Sequence, residues 1–146
     1  MIVSAAEAVG RNGLEMAELS SKTKKELSSY IPPTGTSLAN PVDVSLTAHL
    51  DLNIFFQAVG LVAADPAVDL LVIIGSGMEE NSNNKYIEGM IQAQKTHQKP
   101  FLMVAIPGMS LKAGQSFCRA GIPFFDTAEK AVKAYSKVVE YYSRWK

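Results

Sequence analysis

The sequence predicts a single α/β domain built on a short parallel sheet, and three observations point there. Residues 69–75, Asp-Leu-Leu-Val-Ile-Ile-Gly, and 100–108, Pro-Phe-Leu-Met-Val-Ala-Ile-Pro-Gly, are apolar at successive positions instead of alternating. That pattern suits strands covered by helices on both faces. Stretches of helical periodicity lie between and after these runs, so strands and helices alternate, as parallel pairing with crossovers requires. Finally, 146 residues with 47% hydrophobic content fit one domain with a full core.

The elements follow in order. Residues 3–11 read as a helix stopped by Asn12-Gly13, a strong turn signal. Residues 14–17 read as a short strand and 22–30 as a second helix. Residues 31–37, Ile-Pro-Pro-Thr-Gly-Thr-Ser, are too rich in proline, glycine and hydroxyl groups for regular structure. Leu52, Phe55, Phe56, Val59, Val62 and Ala63 form an apolar helical stripe that ends before Asp65-Pro66. Residues 83–97 form a helix with Ile87, Met90 and Ile91 inward. A short helix over 110–120 is stopped by Gly121 and carries Cys118 on its inward side. Residues 122–125 make a third strand. The last helix, from Ala128, repeats apolar residues at helical spacing with Tyr135 and Tyr142 in the buried stripe, and Asp126 or Thr127 as its N-cap.

One feature breaks the pattern. The chain opens on a helix, whereas a domain of this kind ordinarily opens on a strand that the helix follows. The expectation is therefore one domain over residues 1–146, truncated at its N-terminus. Its sheet should have a gap where the first strand belongs, filled by a partner chain or closed as a smaller sheet.

Composition narrows the function. Lys+Arg and Asp+Glu both number 14, so no broad positive field favours nucleic acid or an anionic membrane. The single cysteine allows no internal disulfide, and no Cys/His cluster suggests zinc. There is no basic-then-apolar leader, and the apolar runs fall far short of the roughly 18–20 residues that span a bilayer. A cytoplasmic protein is expected.

Two loops are candidates for chemistry. Gly75, Ser76 and Gly77 follow a strand end, and Asn81-Ser82-Asn83-Asn84 leads into the next helix. Free N–H groups at a helix start favour phosphate, and glycine permits close approach. The plainer reading is an ordinary tight βα turn, and Glu79 and Glu80 beside it would repel an anion. Asn40, Pro41 and Asp43 form the second candidate, a loop at the carboxyl edge of the sheet, where ligand crevices lie. The alternative is that Asn40 and Asp43 hold the loop by local hydrogen bonds. Neither His49 nor His97 has the surroundings of a catalytic group, and none of the side chains forms a catalytic set. Tyr141 and Trp145, four apart on the last helix, offer a face for another subunit.

Four stretches carry a resemblance: Asn12-Gly13-Leu14-Glu15-Met16-Ala17-Glu18-Leu19-Ser20; Asn40-Pro41-Val42-Asp43-Val44; residues 64–73, Ala-Asp-Pro-Ala-Val-Asp-Leu-Leu-Val-Ile; and residues 121–132, from Gly121-Ile122-Pro123 to Ala131-Val132. In this order, with Lys99-Pro100 between them, they resemble the flavodoxin-like ligase domain of NDP-forming acyl-CoA synthetases, a family that includes the ADP-forming acetyl-CoA synthetases and is related to succinyl-CoA synthetase. The resemblance implies a three-layer α/β/α fold within a larger enzyme that converts acyl-CoA, NDP and phosphate through a phosphohistidine on another module. It implies that this domain lends a helix N-terminus near that group and makes subunit contacts. CoA, ADP or ATP and phosphate would belong to the full enzyme, with none held by this domain alone. Its partners would be the other modules or subunits, with homo-oligomers also open. The competing expectations are a flavodoxin-like module binding phosphate or a small molecule, in a crevice lined by Gly75–Gly77 and Pro107–Met109, and a structural assembly module.

Overall fold

The computed structural model describes residues 2–45, 51–75, 80–105 and 111–145. Among these, six helices alternate with three strands: α1 (Ile2–Arg11), α2 (Ser21–Leu27), α3 (Leu52–Ala64), β1 (Leu71–Gly75), α4 (Glu80–His97), β2 (Phe101–Ala105), α5 (Leu111–Arg119), β3 (Phe124–Phe125) and α6 (Ala128–Ser143). The helix starts are chemically marked. The Ser20 hydroxyl accepts the Thr23 N–H at 3.2 Å, the Asp51 carboxylate accepts that of Asn53 at 2.9 Å, and the Thr127 hydroxyl accepts that of Lys130 at 3.2 Å. Each satisfies a donor that the first helical turn leaves without a carbonyl.

The strands pair in parallel in the order β1-β2-β3, with Leu71 opposite Phe101 and Met103 opposite Phe124. Side chains alternate across the sheet, so each face has its own core. Leu71, Ile73, Phe101 and Met103 pack with Leu27, Ala58, Met90 and Phe117 beneath α2–α5. Val72, Ile74, Leu102 and Val104 pack against Ala131 and Tyr135 of α6, and α1 lies beside α6 in the same layer. The result is the three-layer arrangement that the apolar runs predict.

Three expectations need correction. Residues 14–17 form no strand; a strand needs a backbone partner, and no described strand lies beside them. Cys118 is exposed, not inward. The inward positions of α5 belong to Ala113 and Phe117, and the Phe117 ring stacks on Phe124 with centroids 6.1 Å apart. Tyr142 is 65% exposed instead of buried. α6 has 16 residues against five in β1 and β2, so at about 1.5 Å per helical residue and 3.3 Å per strand residue it overhangs the sheet. Val138, Tyr141, Tyr142 and Trp145 lie on that exposed stretch.

Asp65, which the sequence marks only as a helix stop, ties the N-terminal third to the sheet. It is 1% exposed, and its carboxylate accepts the N–H groups of Ser20 at 2.9 Å and Ala67 at 3.0 Å. Its main-chain carbonyl accepts the Lys99 ammonium at 2.7 Å. The Thr23 hydroxyl, with those two amides and the Ser20 hydroxyl, holds the carboxyl well below the usual carboxylate range against the opposing push of burial. Because the folded form prefers the ionised acid, its contribution is complete above the unfolded pKa near 4 and is lost as pH falls through the lower folded value. Asp65→Ala should cost about 2–3 kcal/mol in urea unfolding at pH 7, and the deficit should shrink below about pH 3. A deficit that is unchanged at low pH would show that the carboxylate is not the source.

Candidate functional site

β1 is the outer strand of the described sheet, and a cleft of about 800 Å³ runs beside it. One wall comes from α1 and α6, through Ala5, Val9 and Val139; the other comes from α3, through Phe55, Ala58 and Val62. Residues 14–18 and 40–45 also line it, so the structure brings Gly75 together with Asn40, Pro41 and Asp43 in one cleft. Ser76 and Gly77 lie outside the described residues, as do His49 and the 107–109 loop. A shallower hollow lies on Gln98, Pro100 and Pro123, which precede the strands, away from Gly75.

The second loop is internally bonded. Ser37 and Asp43 form an antiparallel bridge, exchanging N–H···O bonds of 3.0 and 2.9 Å. The Asp43 carboxylate accepts the Ser45 N–H at 2.8 Å, beside a Ser45 φ of 59°, and the Asn40 amide donates to the Ala17 carbonyl at 3.0 Å. The Asn40-Pro41 peptide is cis. These bonds shape the loop and fasten it to the 14–18 segment, which is the local capping role. His97 ends α4, where a helix C-terminus suits it. Among the described residues no group of His, Cys, Asp and Glu is arranged to hold a metal.

Tyr86 is the residue that the sequence does not single out. It is 1% exposed, and its ring packs against Phe55 at 5.3 Å and edge-on against Phe117 at 6.3 Å. Its hydroxyl has no hydrogen-bond partner, and burial pushes its pKa far up. The hydroxyl sits over Gly75: a Cβ there would meet Tyr86 Oη at 2.3 Å and Cζ at 2.9 Å. Only glycine fits, because the aromatic cluster holds the ring in place. The helical stripe that marks Met90 also reaches Tyr86, four residues earlier, so burial was readable while the orphaned hydroxyl was not. Gly75→Ala should destabilise the fold by about 1–3 kcal/mol through this clash. Tyr86→Phe should raise stability by about 1 kcal/mol in urea unfolding, because it removes a buried group without a partner. A loss of that size would mean that the hydroxyl is bonded in solution.

No protein-family model matches the chain. Over 145 residues, 93% of this chain, it is 32% identical to the alpha subunit of ADP-forming acetate–CoA ligase II from Pyrococcus furiosus, of which it covers 30%. A crystal structure of a Pyrococcus horikoshii OT3 protein superposes with a TM-score of 0.79 at 31% identity, covering 92% of this chain and 32% of that one. Dinucleotide-forming acetyl-coenzyme A synthetase 1 from Ca. Korarchaeum cryptofilum, solved in complex with phosphate and ADP, gives a TM-score of 0.78 at 19% identity, covering 97% of this chain and 31% of that one. Its apo form gives 0.80 at 20% identity, with the same coverage. The last two establish the fold alone, and the flavodoxin-like expectation holds. The chain spans about a third of the length of each relative, and it is homologous to that part of an ADP-forming acetate–CoA ligase subunit.

Proposed function

We propose that the chain is the flavodoxin-like domain of an ADP-forming acyl-CoA synthetase, contributing the turn of Gly75, Ser76 and Gly77 and the start of α4 to the surroundings of a phosphohistidine. The observation that carries this reading is the 32% identity, sustained over 93% of the chain, with the alpha subunit of the Pyrococcus furiosus ligase. The local physics is compatible. β1 ends at Gly75 and α4 runs 18 residues from Glu80, so its dipole and unpaired N–H groups favour an anion near its start.

In this reading CoA, ADP and phosphate are handled by the assembled enzyme, and this domain holds none of them alone. Its partners are the other modules or subunits of a cytoplasmic synthetase. The overhang of α6 supports a subunit contact, since Tyr142 and Trp145 are 65% and 76% exposed and large aromatics are enriched at interfaces. The same patch is what favours the second reading, a purely structural assembly module.

The test is reconstitution. The chain alone should form no ATP from acetyl-CoA, ADP and phosphate, whereas addition of the remaining segments of a synthetase should restore ATP formation. Gly77→Glu, which places a carboxylate in the turn, should lower the reconstituted rate about 100-fold with the circular dichroism spectrum unchanged. ATP formation by the isolated chain, or full activity of the Gly77→Glu assembly, would contradict the proposal.

A further inference from the structure

The cleft beside β1 has a floor with its own hydrogen-bonding pattern. The Leu71 N–H donates to the Pro100 carbonyl at 3.0 Å, and Leu71 pairs with Phe101. In a parallel ladder, alternate residues direct both N–H and C=O to the same side. Leu71, Ile73 and Gly75 therefore face β2, while Val72 and Ile74 direct their N–H and C=O groups into the cleft. These two residues, about 7 Å apart, present the donors and acceptors of an unpaired strand edge.

The rest of the lining selects the occupant. The walls from α1, α6 and α3 are apolar, so side chains on both faces of an inserted strand would be covered. The acids Glu15, Glu18, Asp43 and Asp69 line the cleft, and no Lys or Arg does among the described residues. Asp69 is exposed two residues ahead of β1, at its amino end. The partnerless Tyr86 hydroxyl lies at the other end, over Gly75. We propose that this cleft accepts a single extended apolar strand of about five residues from another polypeptide segment, flanked by a basic residue where it meets Asp69. The strand pairs with Val72 and Ile74, and its backbone supplies an acceptor for Tyr86. A second copy of this chain does not fit the role. Its own β1 edge is recessed between the same helix layers, so two such edges cannot meet. This is recognition by strand addition, and it does not depend on the synthetase assignment.

A fluorescent synthetic peptide with a five-residue valine/isoleucine core, flanked by lysines, is the probe, read by anisotropy with the full chain. Saturable binding is expected. Methylation of alternate peptide nitrogens, which leaves the apolar side chains intact, should weaken it about tenfold or more. Glutamate in place of the flanking lysines should weaken it about threefold or more at low salt. Ile74→Pro in the protein, which removes one edge donor without removing a β1–β2 bond, should weaken it similarly to methylation. Absence of binding to the unmodified chain overturns the proposal. So does equal affinity for the methylated peptide, which would reveal an undirected greasy surface. Sedimentation showing a dimer that the peptide dissociates would assign the cleft to a second copy and overturn it as well.

Discussion

β1 is covered by helices on both faces but hydrogen-bonded along one edge only, and this asymmetry governs the rest of the molecule. Covering both faces demands consecutive apolar residues, which is why the run at 70–74 carries no polar alternation. Pairing on one edge leaves the second edge between the α1–α6 layer and α3. The layers do not collapse onto that edge because each is held from elsewhere: α6 by its contact with all three strands, and α3 by its packing on α2 and α4. A cleft is the geometric consequence.

Two buried polar groups mark the ends of this arrangement, and they differ in character. Asp65 is satisfied by several donors, so it anchors: it fixes the start of α2 and, through the carbonyl bound to Lys99, the approach to β2. Tyr86 is unsatisfied, so it reports a cost retained by the fold. Its position over Gly75 places that cost at the carboxyl end of β1, where α/β folds carry their ligands and where the proposed phosphate-facing turn begins. The turn and the cleft share a boundary at Gly75, so an event in one has a short physical path to the other.

Much of the fold was legible because burial writes itself into periodicity. The stripes through Phe55, Val59 and Ala63 and through Ile87 and Met90 identified their helices, and Thr127 was readable as a cap. The 14–17 segment was misread for an instructive reason: strand formation is a property of a pair, and the sequence shows only one member. Tyr142 was misread because periodicity gives a face without saying how far the neighbouring layer extends. Cys118 was placed inward by its spacing from Gly114, yet Gly114 is covered by the Phe124 ring, which comes from a different element. Of the site, Gly75 and the Asn40–Asp43 loop were found from turn chemistry, but their common cleft and the Tyr86 hydroxyl depend on contacts distant in sequence.

Amide hydrogen exchange in the isolated chain, resolved residue by residue along β1, is the most direct measure of the one-sided pairing. The N–H groups of Leu71, Ile73 and Gly75 should be protected through β2, while those of Val72 and Ile74 should exchange at least about 100-fold faster. Equal protection along all five residues would show that the outer edge is already hydrogen-bonded, and would contradict the account.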